Sequence, residues 1–228
     1  GWTCDYPGDG EIVDDPSAPQ SPPMALQFTR VFSTSAPGAD HPQPVYTFQP
    51  GGVDSAYIAF SWKTSNPFHG WGHCMNKLLL IWNEAGPGPA GKFYNWMFNS
   101  QEGACQGGPY RAFAVINYDP LDNSQTGAYG NQNLYTNVPI DQGKWHDIEL
   151  CLVRSATSTS ADGQFFTWVD GQPAHTITNM NMPGNFTRQM ITPVWDGPAV
   201  TATVPAGSVE HHWFDHIRIA TGFTSCGP

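Results

Sequence analysis

At 228 residues, with 24 Gly, 21 Pro and only 12% charged residues, the chain suits one large domain of short strands and tight turns. Its formal net charge of −10 excludes nucleic acid and anionic membrane surfaces as electrostatic partners, and weighs against a highly anionic polysaccharide unless the nine Lys and Arg gather in one groove. No apolar run is long enough to span a bilayer, and no stretch sustains a helical period.

In chain order, residues 1–23 form an acidic arm rich in Pro and Gly. Asp5, Asp9, Glu11, Asp14 and Asp15 offer the clustered oxygens that calcium takes, but their spacing fits no calcium-loop motif. The arm is read as an acidic surface segment. No cofactor is expected, with a structural calcium as the one ion this segment could take. A strand is predicted over 25–32, followed by a Pro-rich bridge over 36–50. Over 57–63, Ile58, Phe60 and Trp62 alternate with Tyr57, Ser61 and Lys63, the period of a half-buried strand. A loop rich in aromatics and histidine follows, from Asn66 to His73. Residues 78–82 are almost all apolar and predict a central strand. Further strands are predicted over 93–99 and 110–118. Residues 122–137 are too polar for the core and carry tyrosines, as a surface loop would.

Two strands then meet through a Ser/Thr-rich connection. Ile148, Leu150 and Leu152 alternate with Asp147, Glu149 and Cys151. Phe165, Thr167 and Val169 alternate with Phe166, Trp168 and Asp170. Asp170-Gly171 is a hairpin turn signal leading into 175–178. Strands over 189–195 and 212–219 complete the pattern. Trp62, Trp82 and Trp168 are assigned to the core.

The Gly143-Lys-Trp-His146 strand followed by Trp168-Val-Asp-Gly171 resembles the late strands of concanavalin A-like jelly rolls. The segment 57–65 with Asn76-Lys77, Pro193-Val-Trp-Asp-Gly197, and Trp213-Phe-Asp-His-Ile-Arg-Ile219 are similar to strands of the heparin-lyase-like polysaccharide lyases within that superfamily. The resemblance covers most of the chain from about Pro22 onward. It implies an all-β fold, a two-sheet antiparallel β-sandwich forming one domain over 1–228, with a concave groove. Because jelly-roll termini often lie close together, it also implies a Cys4–Cys226 disulfide. Cys74 and Cys105 bracket one hairpin and are paired, leaving Cys151 as a buried thiol. Five cysteines without a Cys-x-x-Cys pair favour an oxidising, extracellular setting.

The fold hosts lectins, hydrolases and lyases, so function must come from the residues. Glycoside hydrolysis needs two facing carboxyl groups. The Glu-x-Asp-x-x-Glu run of glucanases with this fold is absent, and Asp147 with Glu149 reads as a solvated strand edge. Elimination on uronate sugars needs a group that neutralises the sugar carboxylate and a Tyr or His that moves the proton. His73 and Tyr118 are the candidates for proton transfer, with Arg111 and Asn76 beside them; His69, Lys77, Trp195 and His212 complete the inventory. The Gln-Ile-His and Tyr-Asn-Gln strands of alginate lyases are missing. Glycan binding needs aromatic platforms and short polar side chains. Trp71, Trp96, Tyr129, Trp195 and His212 are the candidates, with Tyr118 and Trp213 as further platforms. His211, His212, Asp215 and His216 alternate between two strand faces, so no metal site is assigned.

The reading favoured is a secreted protein that binds an extracellular polysaccharide in a concave aromatic groove. A polysaccharide lyase is the alternative, and a self-associating structural subunit ranks third. The partner is a polysaccharide, with no nucleic acid and no membrane. Asn185-Phe-Thr187 is a sequon for glycosylation.

Overall fold

In the computed structural model of the protein, residues 1–4, 10–31, 44–68, 75–83, 93–100, 110–117, 132–180, 182, 184–191 and 206–226 are described. The strands, numbered in chain order, are β1 (Trp2–Cys4), β2 (Gly10–Asp14), β3 (Met24–Val31), β4 (Pro44–Thr47), β5 (Ser55–Thr64), β6 (Met75–Asn83) and β7 (Phe93–Ser100), then β8 (Tyr110–Asn117), β9 (Gln132–Ile140), β10 (His146–Val153), β11 (Gly163–Val169), β12 (Gln172–Met180), β13 (Phe186–Ile191) and β14 (Val209–Thr221). They build two antiparallel sheets. The first sheet runs β1-β4-β13-β6-β7-β8-β9 and the second β12-β11-β10-β5-β14-β3-β2. This is an all-β sandwich, as the resemblance implied.

The core lies between the sheets and follows the period-2 patterns. From the second sheet come Ile58, Phe60 and Trp62 of β5, Ile148, Leu150 and Leu152 of β10, Phe165 and Val169 of β11, and Phe214 of β14. Leu79 and Ile81 of β6 with Phe186 and Ile191 of β13 meet them from the first sheet. Burying one such side chain is worth roughly 1.5–3 kcal/mol, so a one-residue slip of β5 would forfeit several at once. As expected from its apolar run, β6 is interior, between β13 and β7.

The Gly-x-Trp-His run is a set of structural fixings. Gly143 has φ 75°, and a Cβ there would stand 3.0 Å from the Asn66 Cβ. Its N–H donates to the Thr64 carbonyl at 3.1 Å. His146 is buried and donates from Nδ1 to Asp170 Oδ2 at 2.7 Å, while its Nε2 accepts the Asp141 N–H at 3.0 Å. The other Asp170 oxygen accepts the Asp147 N–H at 2.8 Å. Asp170 and Gly171, with φ 52° and 72°, make the predicted two-residue turn between β11 and β12. One carboxylate thus ties the β11–β12 turn to the start of β10.

Two stretches of the acidic arm are strands that its composition did not suggest. β1 pairs with β4 at the edge of the first sheet, and β2 pairs with β3 at the edge of the second. The Pro-rich bridge contains β4, and the polar stretch ending at Asn137 runs into β9, the other edge of the first sheet. Edge and near-edge strands need no continuous apolar face, which is why their sequences read as loops. The segment after β2 is clamped through Lys63. Its ammonium pairs with Asp15 and lies 4.9 Å from the Trp145 ring and 4.7 Å from the Trp213 ring. The Trp145 indole N–H donates to Ser17 Oγ at 3.1 Å.

Two cysteine assignments need correction. Cys226 bonds to Cys151, with Cα atoms 5.6 Å apart and a separation of 75 residues, so it does not pair with Cys4 and Cys151 is not a free thiol. After β14, Gly222 and Phe223 donate to Ser55 Oγ at 3.1 and 3.0 Å, and Cys226 N–H donates to Gln164 Oε1 at 2.9 Å. The tail therefore crosses the second sheet towards β11, whereas Cys4 lies in the first sheet. Cys74 and Cys105 lie outside the described residues.

Two outcomes follow from these contacts. Replacing both Cys151 and Cys226 by Ser should lower the free energy of unfolding by about 2–4 kcal/mol in denaturant melts, and an unchanged midpoint would contradict the strap. Burial would by itself raise the Asp15 carboxyl, but hydrogen bonds from Lys63 and Ser17 outweigh it and hold the group below its ordinary 3.8. A carboxyl lowered on folding stabilises above its unfolded value, and that contribution is lost as pH falls through the folded value. Wild type should therefore lose more stability than Asp15→Asn on acidification below about pH 4, read from thermal midpoints across that range.

Candidate functional site

The face of the first sheet turned away from the core carries its own chemistry. Val45 of β4, Leu80 and Trp82 of β6 and Met190 of β13 form a second buried apolar cluster there. Cross-strand register explains the grouping, since Met190 stands opposite both Val45 and Leu80. Arg188, opposite Trp82, shares this face. Its guanidinium carbon lies 4.8 Å from the Trp82 ring, a cation–π contact on an apolar floor. Arg188 Nε is buried and takes no hydrogen-bond partner.

Register places two more cationic residues on the same face. Leu80 and Trp82 stand opposite Asn95 and Phe93 of β7, which fixes 93, 95, 97 and 99 as the outward positions of that strand. Lys77 stands opposite Met97, and Arg111 of β8 stands opposite Asn99. A register shift between Lys77 and Leu79 is what brings Lys77 onto the face of Leu80. Lys77, Arg111 and Arg188 are three of the nine Lys and Arg in a chain of net charge −10. Such a face can hold a carboxylate-bearing chain by charge, over an apolar cluster that is itself buried.

Of the residues singled out from sequence, Lys77 and Arg111 stand at register positions of this face. Asn76 and Trp96 stand at the alternate positions of their strands, Asn76 opposite Phe98 and Trp96 opposite the core residue Leu79. His69, Trp71, His73, Tyr118, Tyr129 and Trp195 lie outside the described residues. His212 does not line an outward face. It is 4% exposed between the sheets, where Trp62 Nε1 donates to its Nδ1 at 3.1 Å and the Phe68 ring lies 4.8 Å away. Inward parity with Phe214 puts it there. His211 points to the other side of β14, against Thr29 at 3.0 Å and the Trp213 ring at 5.2 Å. Burial lowers the His211 imidazole, against a smaller upward pull from Glu11. Among the described residues, no group of three or more His, Cys, Asp or Glu side chains could hold a metal.

Other assignments shift as well. Trp62 is in the core, and Trp82 is buried in the second cluster. Trp168 is not a core residue. It is half-buried on the outer face of the second sheet, its ring stacked on Phe166 at 5.8 Å and 26°. Asp147 and Glu149 are on an interior strand rather than at a sheet edge, since β10 lies between β11 and β5. Both are engaged: Ser61 Oγ donates to Asp147 at 2.7 Å, and the Tyr57 hydroxyl donates to Glu149. Burial and then Glu149 push the Tyr57 phenol up to about 12. The sequon Asn185 donates its amide to the Gly51 carbonyl at 2.8 Å, so its side chain is used within the fold.

Arg188 was not singled out from sequence. Its signal was a cation inside a strand with no acid two to four residues away. The residue beside it is equally unusual: Gln189 is fully buried on the core side, and neither its Oε1 nor its Nε2 finds a partner.

No protein-family model matches the chain, and no curated protein matches it by sequence. Solved structures match in fold. An endo-β-1,4-glucuronan lyase from the fungus Trichoderma reesei superposes with a TM-score of 0.66 at 14% identity, covering 98% of this chain and 92% of that one. The marine PL-14 alginate lyase from Aplysia kurodai gives 0.62 at 15% identity, covering 93% and 90%. A variant of the alginate lyase Aly36B, in complex with alginate trisaccharide, gives 0.62 at 11% identity, covering 94% and 88%. The fold is therefore the two-sheet antiparallel β-sandwich that these polysaccharide lyases also have.

The unpartnered amide gives the test for this strand. Gln189→Met fills the same volume without the amide and should raise unfolding free energy by about 1–3 kcal/mol. A destabilised variant would mean that the amide is satisfied in solution.

Proposed function

We propose that the chain binds a carboxylate-bearing polysaccharide, a polyuronate, across the outward face of its first sheet. The observation that carries this reading is the Arg188 guanidinium over Trp82 on that face of an otherwise acidic protein, with 77 and 111, a Lys and an Arg in sequence, at register positions of the same face. It answers the objection that net charge raises against an anionic glycan. The guanidinium stacked over Trp82 is suited to pair with a sugar carboxylate while keeping its face on the indole. Likeness in fold to lyases of glucuronan and alginate supports the same substrate class. The Cys151–Cys226 bond supports a secreted location, where disulfides persist.

A second reading, elimination on the bound uronate, is favoured by that same likeness. In it Arg111 neutralises the sugar carboxylate, with His73 or Tyr118 moving the proton; Asn76, at the alternate position of β6, is withdrawn from this role. Trp71, Tyr129 and Trp195 remain candidate sugar platforms in both readings, whereas Trp96 stands at a core-side position of β7 and is withdrawn.

Binding is tested by calorimetric titration with oligomers of alginate and glucuronan, beside a neutral glucan of equal length. Wild type should bind a uronate oligomer and not the neutral one. Arg188→Ala should weaken it by about tenfold or more, the worth of a charge-assisted contact. Equal binding of the neutral glucan, or an unaffected variant, would refute the reading. A rise in ultraviolet absorbance from an unsaturated uronate would select the lyase over the binding protein.

A further inference from the structure

Far from that face, on the second sheet, a pocket of about 240 Å³ opens between β2, β3 and β14. Its walls are apolar, with Ile12, Met24, Leu26 and Phe214 among them, and Asp215 and His216 line it too. The sheet has a register shift between Asp215 and Arg218, and His216 within it has φ 51°, a left-handed conformation that a side-chain-bearing residue takes at a cost. Backbone strain of this kind collects where a chain is shaped around a site.

Asp215 is the informative residue. It is 5% exposed, so more than nine-tenths of it is buried. Its Oδ2 accepts the N–H groups of Gln20 and Ser21 at 2.8 and 3.0 Å, which fixes the carboxylate. The other oxygen, Oδ1, takes no hydrogen bond or ion pair among the described residues. A buried carboxylate with one satisfied oxygen and one open oxygen, on the wall of an apolar pocket, presents a single site for a positive donor. Lys63 does not serve it, because Lys63 is held by Asp15.

We propose that this pocket binds a small organic ammonium with an apolar body, such as an amine or an amine-bearing side chain. The ammonium meets Asp215 Oδ1, and the hydrocarbon part covers Ile12, Met24, Leu26 and Phe214. Charge complementarity selects this occupant over a neutral apolar one, because a neutral body would desolvate Oδ1 without pairing it. Selectivity for the cation therefore resides in one atom, and bulk affinity resides in the walls.

The probes are cyclohexylammonium chloride and cyclohexanol, titrated into the full chain and followed by amide chemical shifts. The ammonium should bind at least about tenfold more tightly than the alcohol, with shifts centred on Leu26, His216 and Ile217. Asp215→Asn keeps an oxygen for the Gln20 and Ser21 N–H groups and should erase the difference between the probes. Ile12→Trp, at a position 61% exposed and so neutral to folding, should block both by filling the mouth. Equal affinity for the two probes, or shifts away from the pocket, would overturn the proposal. So would calcium chloride that alone shifts the same amides and displaces the ammonium, since Oδ1 would then belong to a metal. Loss of polyuronate binding in Arg188→Ala leaves this test untouched, so the two readings fail separately.

Discussion

Strand β5 sets the terms for the rest of the second sheet. On one side Ile58, Phe60 and Trp62 are buried in the core, and on the other Tyr57, Ser61 and Lys63 are each held by a carboxylate. Those carboxylates, Glu149, Asp147 and Asp15, come from β10 and from the segment after β2. Each partner also tethers the element that carries it. The apolar side fixes register by exclusion of water, and the polar side fixes it by pairing, so a slip would be penalised on both faces. Trp145 and Trp213 add aromatic walls around the Lys63 ammonium, which keep a half-buried cation in a favourable field.

That arrangement decides where positive charge is left over. With nine Lys and Arg against 19 Asp and Glu, few cations remain once structural pairs are made. Lys63 is committed to Asp15, and Lys144 to Asp141 at 2.7 Å. Arg154 donates to the Ser155 carbonyl at 2.9 Å and approaches Asp54 at 3.9 Å. Each of these lies outside the first sheet. On the first sheet's outward face, Arg188 rests on an indole instead of an acid. An acidic protein can therefore carry a local cationic face, because charges cancel locally and not as a total.

The interior strands were the legible ones. Strict alternation in β5, β10 and β11 marks strands with one face in the core and one face wet, and Asp170-Gly171 adopts the turn its chemistry predicts. The unread strands were β1, β2, β4 and β9, all at or next to sheet edges, where polar and Pro-containing sequences suffice. Cysteine pairing was misread because the closeness of termini says nothing about where a tail travels after its last strand. Cys226 follows β14 across the outside of its own sheet and meets Cys151, a position that alternation alone marks as outward. Trp168 was misread for a related reason: an aromatic residue in an alternating strand belongs to a face, and the outer face of a sheet also accepts stacked rings.

Bulges are the deeper reason why candidate residues could not be sorted by counting. Along an uninterrupted β6, Lys77 would share a face with Leu79 and Ile81, the core residues. The register shift between Lys77 and Leu79 reverses that parity, so position 77 pairs with Met97 in the same register class as Leu80 with Asn95. A second shift, between Asp215 and Arg218, sets His216 in a left-handed conformation beside the carboxylate of Asp215. In both places one extra residue changes which chemistry a face presents, while the apolar pattern on either side stays intact. The fold tolerates this because the core is secured by the uninterrupted stretches of β5 and β10. The polar chemistry then collects where the period breaks, and a period-2 reading is blind at those points.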